Sequence, residues 1–525
     1  AWARRLRIAM KNGLWLDYGV VLIYLLGVAA IGLRVAQRRQ QTAEDYFLAS
    51  RRIPAWAVAF SIIGTVIGSV TFVALPGAAY ASNWRLIVPN LMVPIVLVLV
   101  VIFVVPFYRR VVRMSSYEYL ERRFGGFARL YSSTGFLLLR VIDLGFTLLL
   151  TAIAVEVIIG WDIRMVIVVI GLFTICYTII GGLEAVVWTD VLQGCVLGLG
   201  ALTILGVILL TPEGGPGQVI ALAWEGGKLG VGEFRPSWDN LFSEQPVFWV
   251  FALSGLLHFG RAYITEPNMV QRYLIARTDQ DARRGVLAGL FTCVPIWMTF
   301  AFIGSCLWAY HQLTGTVVPA EVLARPDNVL PHFIVSQLPH GVIGLILAAI
   351  LSAANSNVSS DLNSVATVFT SDFYLRARPE ASERTRLLVG RATVLIGGLL
   401  CVGMALLLIS ARVKALAELT ITLGMIFAGG ILGLFSLGYL TTRATRRGAY
   451  VGMAICLVFI LWATLTGPLR IDLGFNFRMH PVLIGVFSHP LLFGAGYLAS
   501  LVLGGRPPAG SLAGLTVWTG PTAQR

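Results

Sequence analysis

The sequence VIGLILAAILSAANSNVSSDLNS, residues 342–364, begins as an apolar run and then becomes rich in serine and asparagine. It is long enough to cross a bilayer, which takes roughly 20 residues of helix. Ser and Asn in such a span either hold neighbouring helices together by hydrogen bonds or supply oxygen ligands to an ion. Eight side chains of this stretch have that character: Ser352, Asn355, Ser356, Asn357, Ser359, Ser360, Asn363 and Ser364.

The whole chain has a membrane composition. Of its 525 residues 57% are hydrophobic and only 13% are charged, whereas a soluble domain is about 25% charged. This apolar excess cannot be buried in one water-soluble core, and it predicts an all-α polytopic membrane protein. Long runs almost free of charge lie at 19–31, 87–105, 166–180, 196–210, 394–409 and 449–465.

The formal net charge of +14 could indicate a nucleic-acid partner, but the placement of the arginines argues against one. They cluster in alternate short loops, whereas the longest of the other loops, 212–245, is acidic and rich in Gly and Pro. This pattern is typical of the positive-inside rule and predicts orientation in the membrane. The basic clusters lie within 34–52, 109–123, 272–284, 376–386 and 443–447.

Apolar runs and loops together predict about 13 spans. We number ten of them as core helices 1 to 10; one leading helix precedes them and two trailing helices follow. An odd number of spans places the N-terminus outside and the C-terminus in the cytoplasm. The leading helix is predicted at 17–35, the core helices at 55–80, 86–107, 128–158, 163–180, 184–211, 246–270, 286–311, 341–373, 388–410 and 415–440, and the trailing helices at 447–466 and 482–504.

The predicted division has five parts. Residues 1–54 hold the N-terminal segment and leading helix, 55–211 the first five-helix repeat, 212–245 an extracellular loop, 246–440 the second repeat, and 441–525 the trailing helices and tail. The basic residues between 4 and 11 do not fit an external N-terminus. Either Met10 is the natural start, or the basic tail lies outside because the positive charges of the other loops determine the orientation.

Core helices 1 and 6 would run in opposite directions, as an inverted repeat of two fives requires. Both also contain residues that interrupt helices. In the first half these are Gly64, Gly68, Pro76 and Gly77, and in the second half Gly255, Gly260 and Pro267. Matching interruptions in the two halves predict a binding site between broken helices at the middle of the membrane.

Three motifs resemble the sodium/solute symporter family, which includes the sodium/glucose cotransporters. They are GGLEAVVWTDVLQ at 181–193, TEPNMVQRY at 265–273 and SNVSSDLNSVATVFTSDFY at 356–374. Shorter matches are DYFLASR at 45–51, LPG at 75–77 and SYEYLERR at 116–123. They occur in family order over residues 15–440. The resemblance implies a LeuT-like 5+5 inverted repeat core and a bacterial inner-membrane symporter.

Carried over by position, the resemblance implies a main sodium site. Its ligands would be the backbone carbonyls of Gly64, Ile67 and Ala353 and the side chains of Ser356 and Asn357. A broken helix offers free carbonyls, and a facing polar helix offers side-chain oxygens, so the arrangement suits a hard cation. Family members usually have Ser or Thr where this chain has Asn357. Its amide oxygen can still coordinate sodium, but the longer side chain changes the cavity.

The resemblance also implies a second sodium site. Its members would be Asp190, Ser356, Ser359 and Ser360, all of which carry side-chain oxygens. A carboxylate at this depth is costly to bury and usually functional. The structural alternative is that Asp190 pairs with an arginine near the cytoplasmic face.

Solute-binding positions follow from the same count without gaps. Thr71 and Asn90 fall on positions that bind sugar hydroxyls in the family, and Tyr263 lies near the aromatic inner gate. Sugar carriers have a lysine where this chain has Cys293.

His258 and Arg261 have no family counterpart. A cation in the central cavity would suit an anionic solute, whereas Arg261 could instead pair with Glu266 or Asp143 and His258 could be a buried hydrogen-bonding residue. Arg140 and Asp143 stand three residues apart, as an ion pair on one helix does. Asp143 replaces an arginine of the sialic acid carriers, which argues against sialic acid as the solute.

The predicted function is sodium-coupled symport that imports a small polar solute (a sugar, polyol or organic acid) by alternating access with one or two sodium ions. The first alternative is a proton-coupled or uncoupled transporter on the same scaffold, suggested by Asn357. The second is a transporter-like sensor, although no signalling domain follows the last helix. An enzyme is disfavoured because the chain has no Walker A loop and no metal-ligand cluster.

Overall fold

The computed structural model describes residues 14–37, 42–112, 114–235, 247–410, 429–505, 507 and 511–519. The predictions about Met10 and the residues before it lie outside this part. Within it the chain is helical, and the backbone pairing outside helices is an isolated bridge between Ile53 and Ala276. The all-α prediction is therefore confirmed.

In the described residues nine helices are long and apolar enough to span a membrane, or ten if a bent pair is one span. The leading helix, both trailing helices and most core helices are found where the apolar runs predicted them. The nine are Trp15–Val35, Trp84–Val111, Gly126–Ile159, Ile163–Leu210, Asp279–Thr314, Val342–Ala377, Glu383–Ile409, Arg446–Thr466 and Val482–Val502.

Core helices 4 and 5 meet at Gly182 within the element Ile163–Leu210. Gly182 has φ 56° and ψ −160°, so the helix stops there and restarts. A Cβ at this residue would lie 2.8 Å from the carbonyl oxygen of Tyr46, which leaves glycine as the residue that fits. The 48-residue element is therefore two spans, as predicted.

Core helix 1 is broken, as predicted. It consists of Ala55–Val66 and Val70–Ala81, which are bent by 64° relative to each other. Ile67 between them adopts an extended conformation, with φ −95° and ψ 97°. The helical hydrogen-bond ladder is therefore interrupted next to Gly68.

Core helix 6 is also broken, at a place that the glycines did not indicate. It consists of Phe248–Thr265 and Pro267–Leu274, with Glu266 in extended conformation between them. Of the residues that predicted the break, only Pro267 lies at it. Gly255 instead allows close packing, since a Cβ there would lie 2.5 Å from the carbonyl oxygen of Pro89.

Two other regions differ from the prediction. The loop at 212–245 contains a helix, Gly215–Glu225, which buries Val219 and Ala223. Core helix 10 was predicted at 415–440, but 411–428 lie outside the described residues and its described helix is Ile431–Leu440. Shorter helices between the spans are Ala43–Leu48, Glu118–Phe124, Ala320–Leu323 and Val329–Gln337.

The leading helix is attached to the start of core helix 8 by Asp17. One oxygen of this buried carboxylate accepts hydrogen bonds from the backbone N–H groups of Gly341 (2.7 Å) and Gly344 (2.8 Å). The other lies 2.6 Å from Nδ1 of His340. Asp17 thus caps core helix 8 from another helix. The domain boundaries at 55, 212, 246 and 441 remain predictions.

Candidate ion and solute site

A buried carboxylate, Asp190, lies where core helices 1, 5 and 8 meet. Ser356 Oγ donates to its Oδ1 over 2.5 Å, and Ser61 Oγ donates to its Oδ2 over 2.8 Å. Asp190 is 0% exposed, and among the described residues no arginine lies within ion-pair distance of it. The direct partners of the carboxylate are hydroxyl groups, and Arg272 lies close enough to interact with it electrostatically without a direct ion pair.

The two other serines predicted for the second sodium site have different partners. Ser360 Oγ accepts hydrogen bonds from Thr65 Oγ1 (3.2 Å) and from Nη2 of Arg272 (2.6 Å). Ser359 Oγ donates to the carbonyl of Ser356 over 3.2 Å. The structure therefore places Ser356 directly on Asp190, whereas Ser360 is engaged by a buried arginine.

The residues predicted for the main sodium site surround the break in core helix 1. A Cβ on Gly64 would overlap Ser356 Oγ and would lie 3.1 Å from Oδ1 of Asp190. Ala353 is buried one turn before Ser356, and the extended Ile67 lies at the break itself. The two predicted sodium sites are thus neighbours that share Ser356.

Asn357 also reaches this break, but through its amide nitrogen. Its Nδ2 donates to the carbonyl of Thr65 over 3.0 Å. That nitrogen would lie 3.2 Å from a Cβ on Gly68. The amide group therefore uses a donor where the main sodium site needs an acceptor, and Asn357 must turn its side chain for Oδ1 to act as a ligand.

The residues predicted to contact the solute lie on core helices 1, 2 and 6. Thr71 is buried just after the break, and Asn90 is half-buried beside the place where Gly255 touches Pro89. Tyr263 is 1% exposed, and its hydroxyl has no hydrogen-bond partner in the described chain. A buried hydroxyl of this kind can bind a solute or a water molecule.

A network of charged side chains surrounds the break in core helix 6. Glu266 accepts from Nη1 of Arg261 over 2.5 Å and also pairs with Arg140. Arg140 donates in addition to Asp361 of core helix 8 over 2.8 Å, and Asn268 donates to the other oxygen of Asp361. The predicted pairing of Arg261 with Glu266 is confirmed, and it is part of a bridge between core helices 3, 6 and 8.

Two titratable groups at this network are not fully buried. Asp143 lies 3.8 Å from Nη1 of Arg140, the predicted pair on one helix, and 34% of its side chain is exposed. His258 is exposed and close enough to Arg261 to interact electrostatically with it. These two side chains are therefore more exposed than Arg140, which is buried.

The sequence analysis missed several of these residues. Ser61 and Thr65 lie one turn apart on core helix 1. The Ser61 hydroxyl donates to Asp190, and the Thr65 hydroxyl donates to Ser360. Asp361 is the charged residue within the stretch at 342–364, and a carboxylate inside a span is itself a signal of function or pairing. That signal was present, but the partner Arg140 could be identified only from the fold.

A buried carboxylate and serines beside two broken helices, in a multi-span helical core, define an ion-coupled secondary transporter. The model of the family described as Sodium:solute symporter family matches residues 46–456. The chain belongs to this family.

Three similar proteins extend the comparison. The sodium/sialic acid symporter NanT of Aliivibrio fischeri is 34% identical over 484 residues, which cover 91% of this chain and 93% of that protein. The sodium/sialic acid symporter SiaT of Proteus mirabilis is 32% identical, with 92% and 97% covered. A solved structure of a Na⁺-coupled sialic acid symporter, substrate-bound and outward-open, has a TM-score of 0.84, 29% identity and coverage of 94% and 99%.

Family and fold together confirm the coarse predictions. The protein is a LeuT-like, multi-pass membrane transporter and not an enzyme, and its coupling ion is sodium. The role of each residue at the site remains a prediction.

Proposed function

We propose that this protein imports a small carboxylated sugar of the sialic acid class together with two sodium ions. Two relatives that are 34% and 32% identical over more than nine-tenths of this chain are sodium/sialic acid symporters. A solute of that class carries hydroxyls and one carboxylate, so it needs both neutral hydrogen-bonding groups and a compensating charge. The N-terminus would lie outside and the C-terminus in the cytoplasm, following the arginine-rich loops.

The single observation that carries the proposal is the balance of charge at the site. The charged side chains around the break in core helix 6, counted together with Asp190 and Arg272, include one more carboxylate than arginine. The count includes Asp143, 34% of whose side chain is exposed, so that the excess charge lies at the accessible edge of the network. Two sodium ions and one solute anion would balance it. The groups counted are Arg140, Arg261 and Arg272 against Asp143, Asp190, Glu266 and Asp361.

Arg261 and His258 are the side chains that would receive the carboxylate. Arg261 already shares Glu266 with Arg140, so it can turn part of its guanidinium to a solute without leaving Glu266 unpaired. The charge of Asp143, which argued against sialic acid, is partly offset by Arg140 at 3.8 Å. The solute hydroxyls would then bind Thr71, Asn90 and Tyr263.

Transport would follow from the two broken helices. Sodium entering from outside would bind beside Asp190 and draw core helix 1 towards core helix 8, which stabilises the outward-open state. Solute binding next to it would favour closure, and both ligands would then leave to the inside. Because each ligand favours the same state, each should tighten the binding of the other by the same factor.

A second candidate function is symport of an uncharged solute with one sodium ion. The observation that favours it is the hydrogen bond from Asn357 Nδ2 to the carbonyl of Thr65, which occupies the main sodium site with a donor. One sodium ion at Asp190 would by itself neutralise the excess negative charge. The two candidates therefore differ in both the charge of the solute and the number of sodium ions.

Counterflow into proteoliposomes, with sodium varied at constant pH, tests the proposal. A radiolabelled sialic acid and an uncharged sugar of similar size would be compared at several sodium concentrations. We expect uptake of the sialic acid only, with a sodium dependence of Hill coefficient near 2. Uptake of only the uncharged sugar with a coefficient of 1 would establish the second candidate, and sodium-independent accumulation would contradict both.

Arg261→Gln supplies the matched variant. It should raise the half-saturating concentration of the sialic acid at least tenfold and leave the half-saturating sodium concentration at the Asp190 site within about twofold. Arg384→Gln, an exposed arginine outside the network, should change neither.

A further inference from the structure

An apolar groove opens between core helices 2, 6 and 10, away from the Asp190 site. It is a cavity of about 550 Å³. Large apolar side chains at its rim are exposed: Leu99 is 49% and Phe103 is 43% exposed. Its floor includes the buried Tyr108 and Phe435, so it is a cleft between helices and not a flat surface.

The groove continues into a second cavity at one end of the bundle. This cavity, of about 810 Å³, shares Phe103, Tyr439 and Val517 with the groove and is lined in addition by Arg110 and Arg122. The tail segment at 511–519 borders it, since the N–H of Val517 donates to the carbonyl of Tyr439 over 2.9 Å. The apolar groove is therefore continuous with a cavity that is lined by two arginines.

Among the described residues these two arginines make fewer contacts than the arginines beside them in the sequence. Arg109 pairs with Asp279 at 2.5 Å and donates to the carbonyl of Tyr273, and Arg123 donates to three backbone carbonyls. Arg110 uses only its Nε, on the carbonyl of Pro106, and no described carboxylate pairs with it or with Arg122. Both are exposed.

We propose that the groove binds one anionic phospholipid, with an acyl chain between core helices 2, 6 and 10 and its phosphate between Arg110 and Arg122. The cleft lies along helices that span the bilayer, so lipid chains are the molecules that reach it. The arginines lie in the predicted cytoplasmic loop, where headgroups are found and where basic pockets between helices bind anionic lipids. The charge at one end favours an anionic over a zwitterionic lipid.

Native mass spectrometry of the purified full-length protein tests this. The protein would be given equimolar phosphatidylglycerol and phosphatidylcholine with identical acyl chains. We expect the retained lipid to be mainly phosphatidylglycerol, and the preference to fall roughly fivefold for each of Arg110→Gln and Arg122→Gln. Leu99→Trp, which fills the exposed side of the groove, should lower retention of both lipids.

Two controls decide between this site and general charge attraction. Arg384→Gln removes an exposed arginine that does not line the groove, and it should leave the preference unchanged. Equal retention of the two lipids by the wild type, or an unchanged preference in the Arg110→Gln, Arg122→Gln double variant, would overturn the proposal. So would displacement of phosphatidylglycerol by free glycerol 3-phosphate at the same concentration, because the acyl chain would then contribute nothing.

Discussion

Ser356 on core helix 8 donates a 2.5 Å hydrogen bond to Asp190 on core helix 5. The other oxygen of the same carboxylate accepts from Ser61 on core helix 1. One charged group therefore links three helices, and the proposed alternating access would move core helix 1 relative to core helix 8. A sodium ion bound there would take the place of the hydroxyl donors on the Asp190 carboxylate. Ion binding and helix movement would therefore involve the same side chains.

Asp190→Asn should weaken sodium coupling. The amide keeps the size of the side chain but removes the negative charge that compensates a sodium ion, so we expect the half-saturating sodium concentration to rise at least tenfold. The Hill coefficient for sodium should fall towards 1 if the main site remains. Sodium-dependent counterflow in proteoliposomes measures both.

Glu184→Gln is the control for this change. Glu184 lies in the same sequence motif as Asp190 but is half-buried and has no predicted sodium role. Its variant should keep the sodium dependence of the wild type. An Asp190→Asn protein with wild-type sodium dependence would remove Asp190 from the proposed site.

Gly64→Ala should disrupt the same place by volume alone. The added Cβ would overlap Ser356 Oγ and approach Asp190, so core helix 1 must move away from core helix 8. In a helix interior Gly→Ala ordinarily stabilises by up to about 1 kcal/mol. Here we expect a lower melting temperature and loss of sodium-induced stabilisation in a thermal-shift measurement.

Gly206→Ala is the matched control because a Cβ at this position on core helix 5 meets no atom within 4 Å. Its melting temperature should equal or exceed that of the wild type, and sodium should stabilise it normally. Equal behaviour of the two variants would show that the close approach at Gly64 has no role.

Asn357→Ser tests the main sodium site in the opposite direction. Serine removes the amide that donates to the carbonyl of Thr65 and restores the hydroxyl common in the family. We expect tighter sodium binding and, if the wild type uses one ion, an increase of the sodium Hill coefficient towards 2. Weaker sodium binding would mean that the Asn357 amide oxygen is itself a ligand.

Much of the fold could be predicted because a bilayer imposes span length and loop charge on the sequence. The break between core helices 4 and 5 was predicted from the boundary at 181–183, and it lies at Gly182, whose φ of 56° favours glycine. The break in core helix 6 was only partly predicted, since membrane helices tolerate glycine. Gly255 proved to serve packing, and the interruption lies before Pro267.

The candidate site was predictable only where its residues belong to the family motifs. Ser356 and Asp190 were paired through the family resemblance, whereas Ser61 carried no motif. The bridge from Arg140 to Glu266 and Asp361 joins residues 126 and 221 positions apart. Such a contact depends on how the helices pack, and the spacing of residues along one helix contains no information about it.

Asp361→Asn should destabilise the protein through Arg140. Removing one partner of a buried ion pair typically costs about 3–5 kcal/mol, because the remaining charge loses its compensation. Arg140 retains Glu266, so we expect the lower part of that range and a clear fall in melting temperature. Glu383→Gln breaks an exposed pair with Arg386 and should cost less than about 0.5 kcal/mol.

Asp17→Ala should release the leading helix from core helix 8. The variant removes the acceptor of the buried Gly344 N–H, which costs about 1–3 kcal/mol, and that of the half-buried Gly341 N–H, which costs less because water can reach it. The melting temperature should fall, while the half-saturating sodium concentration of the protein that remains folded should stay within twofold of the wild type.

Asp162→Ala removes an exposed cap, on core helix 4, where water can replace the carboxylate. It should cost only about 1 kcal/mol. If Asp17→Ala instead altered sodium affinity as strongly as Asp190→Asn, the leading helix would take part in coupling and not only in anchoring core helix 8.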